Sequence, residues 1–222
     1  MLEAVFFDWG NTLVHLEWDD ELVAVGHRAA LGRDDPEFTA RYRELILGDA
    51  HGHRPYPELL AELGVADPDG FIDAEHGVWR DAYGVLSMAP ALLETLRERG
   101  LKTALVANSW PDSARILRGD AEALGLAPLL DALVYADDVG VRKPGPEIFL
   151  HACAEVAVEP EAVLFVGDDL VADVQGAANV GMRTAQALWF KADESPEIEP
   201  DFQAFTAADV LNIAARLARS PH

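Results

Sequence analysis

Val163-Leu164-Phe165-Val166 is an unbroken apolar run that stops at Gly167-Asp168-Asp169. A strand with one face in water alternates apolar and polar residues, so a run apolar at every position belongs to a strand covered on both faces. Such coverage calls for helices above and below a parallel sheet. From Gly100 onward the chain supplies the matching alternation of short β-like runs with helical patterns. Strands are expected at 2–8, 102–108, 132–135, 162–167 and about 183–187. Helices are expected at 90–99, 112–124, 146–156 and about 170–180, bounded by stops such as Gly100, Gly125 and Gly181. The tail from 192 to 200, rich in acid and proline, reads as an exposed connection before a last helix at about 207–218.

Residues 15–85 break this rhythm, with helix-length amphipathic pieces at roughly 19–31, 36–48, 57–63 and 70–82 and no convincing strand. They read as a helical cap domain inserted into a Rossmann-like α/β core made of residues 1–14 and 86–222. The insertion follows the first strand and its turn, which places it above the carboxyl end of the sheet, where it can close over a ligand. The plainer alternative is a helical layer of the core. Its basic residues are all arginine, at 28, 33, 41, 43, 54 and 80.

Composition narrows the partners. A chain of 222 residues with 50% hydrophobic content can bury a substantial core. It contains no stretch near the roughly 18 uninterrupted apolar residues of a membrane helix and no signal-peptide order at its start, so a cytoplasmic location is expected. A formal charge of −22 repels nucleic acid and anionic membranes, and neither is an expected partner. The same field opposes an anionic small substrate, so a phosphate site needs local positive charge from a metal ion, an Arg or a Lys. Lysine occurs only at 102, 143 and 191. The single cysteine, Cys153, lies in an apolar helix pattern and reads as core filling. Oligomeric state is not legible in the sequence.

Chemistry concentrates where strands end. Asp8 follows the first expected strand, Ala107-Asn108-Ser109 the second, Arg142-Lys143-Pro144 the third and Gly167-Asp168-Asp169 the fourth. In a parallel sheet these converge on one edge. Three carboxylates near one lysine suit a hard cation such as Mg²⁺, which takes oxygen ligands. Asp168 and Asp169 also suit the cap of a helix starting near Leu170, a role compatible with metal binding.

Phe7-Asp8-Trp9-Gly10-Asn11-Thr12-Leu13, the run Gly140-Val141-Arg142-Lys143-Pro144-Gly145-Pro146-Glu147-Ile148-Phe149, and Val166-Gly167-Asp168-Asp169 with Asp173 and Gly176-Ala177 together resemble the haloacid dehalogenase-like superfamily, mostly phosphatases. The resemblance implies a phosphatase acting on a small phosphorylated metabolite. Asp8 would be the nucleophile that takes the phosphoryl group, and Lys143 would neutralise charge or hold the carboxylates. Mg²⁺ would be held by Asp8, the carbonyl of Gly10 and Asp168, with Asp169 or Asp173 supporting. Asn108 and Ser109 would bind substrate.

Two departures from the family pattern stand out. Gly10 occupies the place of a second Asp that protonates the leaving group and activates water, a function worth about 10² to 10⁴ in rate. Ala107 occupies the place of the phosphate-binding Ser or Thr, which leaves Asn108 or Ser109 to reach in. The related phosphonate-cleaving branch uses a cap lysine, and no lysine precedes Lys102. A 2-haloacid dehalogenase, with Arg28 or Arg41 binding a carboxylate, remains an alternative, as does a fold-retaining binding protein without catalysis. His15, near the hinge into the insertion, could replace the missing acid. His51-Gly52-His53 lacks a third zinc ligand and suits substrate contact better. Trp9 and Trp110 flank the site in sequence and suit packing.

Overall fold

The computed structural model describes residues 1–15, 19–48, 54–109, 113–191, 193–195 and 197–219. The elements run β1 (Ala4–Phe7), β2 (Val14–His15), α1 (Asp20–Leu31), α2 (Pro36–Gly48), α3 (Tyr56–Glu62), α4 (Pro68–Asp81), β3 (Gly84–Val85), α5 (Ala89–Glu98) and β4 (Lys102–Ala107). They continue with α6 (Ala114–Ala123), β5 (Ala132–Tyr135), α7 (Ala136–Val139), α8 (Pro146–Val156), β6 (Val163–Gly167), a π-helical turn (Leu170–Gln175), α9 (Gly176–Asn179), β7 (Arg183–Ala187), β8 (Phe202–Ala204) and α10 (Ala207–Arg219).

A six-stranded parallel sheet forms in the order β5-β4-β1-β6-β7-β8. Successive side chains of a strand point to opposite faces, and both faces here are apolar. Val5, Phe7, Leu105, Leu164 and Val166 join one buried cluster with Leu92, Leu93 and Leu96 of α5 and Val210 and Ala214 of α10. Phe6, Ala104, Val106 and Phe165 join the other with Ile148, Phe149, Ala152 and Cys153 of α8. Each large apolar side chain taken from water contributes about 1.5–3 kcal/mol, so the central strands cannot shift register without forfeiting several such terms. Cys153 is part of this packing, and burial pushes its thiol up to about 11.

The chain steps from β1 to β4 and β5 on one side, then crosses to β6 and β7 on the other. Where the direction reverses, the loops beyond β1 and β6 diverge and leave a crevice at their carboxyl ends.

Four features differ from the sequence-based expectation. The connection before the last helix contains β8, which pairs with β7 through Ala185↔Phe202. The expected helix at 170–180 begins as a π-turn, with Val174 N–H reaching back to Asp169 O at 3.1 Å. α7 stands between β5 and the lysine loop. The insertion is bordered by a short antiparallel pair, His15↔Gly84 and Val14↔Val85, where no strand was expected.

Between these two strands, α1 to α4 pack on one another. Val23, Phe38, Tyr42, Leu59, Leu60 and Ile72 belong to their own buried cluster, which touches the core through Ile116 of α6. Gly26 permits the tight α1–α4 approach, because a Cβ there would lie 2.8 Å from Trp79 Nε1. Caps define the ends: Asp19 accepts from Leu22 N–H at 2.7 Å, and Asp67 accepts from Gly70 N–H at 3.1 Å. Among the described residues no helix is long and apolar enough to cross a membrane.

Candidate active site

Asp8 directly follows β1, and its N–H donates to Val166 O at 2.9 Å, so the β1–β6 ladder extends one residue and fixes the carboxylate at the crevice. Lys143 approaches from the loop after α7. Its Nζ lies 2.6 Å from Asp8 Oδ1 and 2.6 Å from Asp173 Oδ1. Asp173 reaches this position because Gly167 has no side chain; a Cβ there would meet Asp173 Oδ2 at 2.3 Å. Gly176 does the same for the lysine loop, since its Cβ would lie 2.8 Å from the Phe149 ring and 3.0 Å from Pro144 Cα. Asp168 follows β6, and its Oδ2 accepts from Asn11 Nδ2 at 3.1 Å. Asp8, Asp168 and Asp173 each offer an oxygen, and these atoms all lie within 4.8 Å of one another.

All four charged groups are buried. Burial works against the Lys143 ammonium, but the charges and hydrogen bonds of Asp173 and Asp8 outweigh it and hold its pKa above the usual lysine range. Burial pushes the Asp168 carboxyl up to about 6, helped by the charge of Asp8. Burial also pushes Asp173 upward, against the pull of Lys143. Three carboxylates face one ammonium, so the cluster carries surplus negative charge in a region shielded from water. A divalent cation with oxygen preference fits that donor set, because it would offset the surplus that one lysine leaves.

The two neighbouring acids divide the roles that their sequence left open. Asp169 Oδ1 accepts from Val171 and Ala172 N–H at 2.8 and 2.7 Å, so it caps the π-turn. Asp168 lies in the carboxylate cluster instead. Asp173 belongs to the cluster too, although its Oδ2 accepts from Asp169 N–H at 3.2 Å and its Oδ1 is held by Lys143.

The segment after β4 is tied to the same site. Asn108 brackets the lysine peptide: its Nδ2 donates to Lys143 O at 3.1 Å and its Oδ1 accepts from Lys143 N–H at 2.8 Å. The Ser109 hydroxyl is engaged by Asp137, donating to Oδ1 at 2.9 Å and accepting from the Asp137 N–H at 3.2 Å. Asp137 also accepts from Ala114 N–H at 2.8 Å, which ties α6 to this segment. Gly10 is exposed, and a Cβ built on it meets nothing within 4 Å.

Sequence reasoning missed Asn11 and Asp137. Asn11 adopts φ 53, a left-handed conformation that asparagine tolerates better than most residues, and the Gly10-Asn11 pair was the available signal. His15 Nδ1 lies 2.9 Å from Asn11 Oδ1, and its ring stacks on Phe190 with centroids 5.1 Å apart. Trp9 is buried and packs edge-on against Tyr83 at 6.4 Å. Arg28 and Arg41, considered above as carboxylate binders, are exposed on the helical insertion, and Arg28 lies 3.4 Å from Asp34. His51, Gly52, His53 and Trp110 lie outside the described residues.

Comparison with known proteins gives this constellation a family. The haloacid dehalogenase-like hydrolase pattern matches residues 2–181. A protein of Methanopyrus kandleri named glyceraldehyde 3-phosphate phosphatase is 28% identical, with 99% of this chain and 100% of its own length covered. The N-acetylmuramic acid 6-phosphate phosphatase of Pseudomonas aeruginosa is 30% identical over 83% of this chain and 80% of its own. The crystal structure of a HAD phosphatase from Thermococcus onnurineus superposes with a TM-score of 0.74, at 25% identity, covering 96% of this chain and 97% of that one. The chain therefore belongs to the haloacid dehalogenase-like hydrolases, and its named relatives are phosphatases.

Proposed function

We propose that the protein is a Mg²⁺-dependent phosphatase that acts on a small phosphorylated metabolite through Asp8. The observation that carries this reading is the placement of Lys143 Nζ 2.6 Å from both Asp8 and Asp173, with Asp168 in the same cluster. The names of the relatives, phosphatases of glyceraldehyde 3-phosphate and of a sugar phosphate, support the substrate class.

In this reading an Asp8 oxygen attacks phosphorus, the bond to the leaving group breaks, and water then hydrolyses the aspartyl phosphate. Asp8, Asp168 and the Gly10 carbonyl would hold Mg²⁺, and Asp173 would act mainly by holding Lys143 in place. When bound, the cation stabilises charge on the phosphoryl oxygens. Lys143 places positive charge 2.6 Å from Asp8 Oδ1, where the phosphoryl group would arrive. Asn108, anchored to the Lys143 peptide, has a second amide N–H to offer a phosphate oxygen. Ser109 serves by orienting the loop through Asp137. Residues 15–85 act as a cap over the crevice.

Haloacid dehalogenation would use the same carboxylate on carbon and needs no metal. The surplus of acid around Asp8 and the exposed positions of Arg28 and Arg41 speak against it.

Gly10 brings no proton to either step, so substrates with poor leaving groups turn over slowly. Purified protein with Mg²⁺ should hydrolyse acyl or activated phosphate esters in a broad screen. Gly10→Asp, for which the backbone leaves room, should raise the rate on alkyl phosphates by about 10² or more. Silence of both proteins on every ester, anhydride and acyl phosphate would remove this reading and favour a binding role.

A further inference from the structure

A cleft of about 560 Å³ lies between the helical insertion and the sheet core. That volume falls within the roughly 300–1,000 Å³ of small-molecule sites. Asn108 and Ser109 contribute to its lining, and Asn108 brackets the Lys143 peptide, so one end of the cleft is formed by the segment that anchors the lysine loop. The rest of the lining is largely apolar and aromatic: Val23, Tyr42, Ile46, Tyr56, Trp79 and Leu117. The hydroxyls of Tyr42 and Tyr56 are bonded to each other, and Tyr56 also donates to Glu75 at 2.7 Å inside the helical layer. Their polar ends are thereby occupied, which leaves the rings as the surface a ligand meets.

The charged side chains among its described lining are Asp19, which caps α1 by accepting from Leu22 N–H, Asp20 and Arg43. Arg43 is the one cation among its described lining residues, and it forms an ion pair with Asp20. His76 also lines the cleft; burial lowers its pKa to about 4, so it is neutral near pH 7, and its Nδ1 has no hydrogen-bond partner in the protein. Among the described lining residues a leaving group carrying a second phosphate or a carboxylate finds no unpaired cation, whereas a flat apolar group meets the rings of Tyr42, Tyr56 and Trp79 and the side chains of Ile46 and Leu117.

A second observation is independent of the cleft. Gly10 provides no acid to protonate a leaving oxygen. An alkyl alcohol, close to water with its pKa of about 15.7, leaves poorly without one. A phenol, with a pKa of about 10, departs as the anion far more readily.

We propose, resting on the phosphatase reading above, that the substrate is an aryl phosphate monoester whose ring occupies this cleft while its phosphate meets Asp8. The Asp8 oxygen forms a bond to phosphorus as the bond from phosphorus to the aryl oxygen breaks. The phenolate leaves with that electron pair and takes a proton from water. Water then attacks phosphorus, the bond to Asp8 breaks, and inorganic phosphate departs with the aspartate restored as carboxylate.

The test compares kcat/KM of the full chain with Mg²⁺ on four probes: naphthyl phosphate, acetyl phosphate, cyclohexylmethyl phosphate and glycerol phosphate. Naphthyl phosphate combines an apolar ring with an acidic leaving oxygen. It should exceed acetyl phosphate, which lacks the ring, and cyclohexylmethyl phosphate, which lacks the acidity, each by about tenfold or more. Leu117→Arg should bring the naphthyl-to-acetyl ratio down about tenfold, and Ile46→Arg on another part of the lining reads the same ratio should the first variant not fold. Equal turnover of naphthyl and glycerol phosphates, or ratios unmoved by these substitutions, would overturn the substrate class while leaving the phosphatase reading intact. No turnover of any probe by the wild type or by Gly10→Asp would overturn the phosphatase reading itself.

Discussion

The sheet edge and the helical insertion both bury carboxylates, and they balance them differently. In the insertion, Glu75 is fully enclosed beside His27, with Nε2 to Oε1 at 3.2 Å, and accepts from Tyr56 at 2.7 Å. His27 Nδ1 in turn lies 2.8 Å from Thr39 Oγ1, so the network closes on itself between α1, α2, α3 and α4. Burial pushes the Glu75 pKa up, and its bonds to His27 and Tyr56 pull it down. At the sheet edge, three acids share one lysine, and Asp168 rises to about 6. A buried acid enclosed by polar neighbours from several helices ties those elements together. An unbalanced one is held there at the expense of stability, which is reasonable only where something else binds.

That contrast is open to direct attack. The largest effect on stability is expected from Glu75→Ala, which leaves His27 and Tyr56 without their central acceptor. It should lower unfolding free energy by about 3–5 kcal/mol, read as a shift in the urea midpoint at unchanged slope.

Asp168→Asn should act with the opposite sign. The Asp168 pKa is raised from its usual 3.8 to about 6, so the folded state binds the proton more tightly than the unfolded chain. Its contribution to stability is therefore best at low pH and declines as pH climbs from about 4 to 6. In EDTA at pH 7 the asparagine variant should be more stable than wild type by about 2 kcal/mol. Mg²⁺ should raise the melting temperature of the wild type and have little effect on this variant. A variant destabilised in EDTA would contradict the idea that the site carries surplus charge.

A smaller effect belongs to His76. Burial lowers its pKa from 6.5 to about 4, so the unfolded chain takes up a proton before the folded one does, and stability falls as pH drops through that window. His76→Phe should flatten the acid limb by about 1–2 kcal/mol between pH 6.5 and 4, followed by urea titration at each pH. The smallest effect is expected where the two regions meet on the surface. Arg115 of α6 reaches Asp73 of α4 at 2.7 Å, yet all these side chains are exposed. Arg115→Ala should cost no more than about 1 kcal/mol, vanishing in high salt.

The same contrast explains what the sequence made legible. Strands apolar on both faces, such as Val163 to Val166, announce a covered parallel sheet, and acids at strand ends announce its working edge. The five expected strands followed from those local patterns, as did Asp8, Lys143 and Asp168 at one edge; Asp173 came only with the family resemblance, and Asp169, which the strand-end pattern placed with them, caps the π-turn instead. β2 and β3 did not, because two residues carry no period and the pairing His15↔Gly84 is made by chain segments far apart. β8 was hidden as well: Phe202-Gln203-Ala204 follows an acid- and proline-rich stretch that masks three residues of strand. In the site, Asn11 and Asp137 escaped notice because their roles depend on partners distant in sequence, Asp168 and Ser109. The closed network around Glu75 was invisible for the same reason. Helical periodicity marks a buried face without saying which of its polar residues will meet.

The central claim, that Asp8 forms a covalent bond to phosphorus beside a divalent cation, is most directly tested by looking for that bond. With Gly10 unable to activate water, the aspartyl phosphate should persist long enough to trap. The 222-residue chain mixed with Mg²⁺ and naphthyl or acetyl phosphate, quenched in acid and mapped by peptide mass, should carry one phosphoryl group on Asp8. The adduct should be absent in EDTA and in Asp8→Asn. Steady consumption of either substrate with Asp8 unmodified throughout would contradict the account.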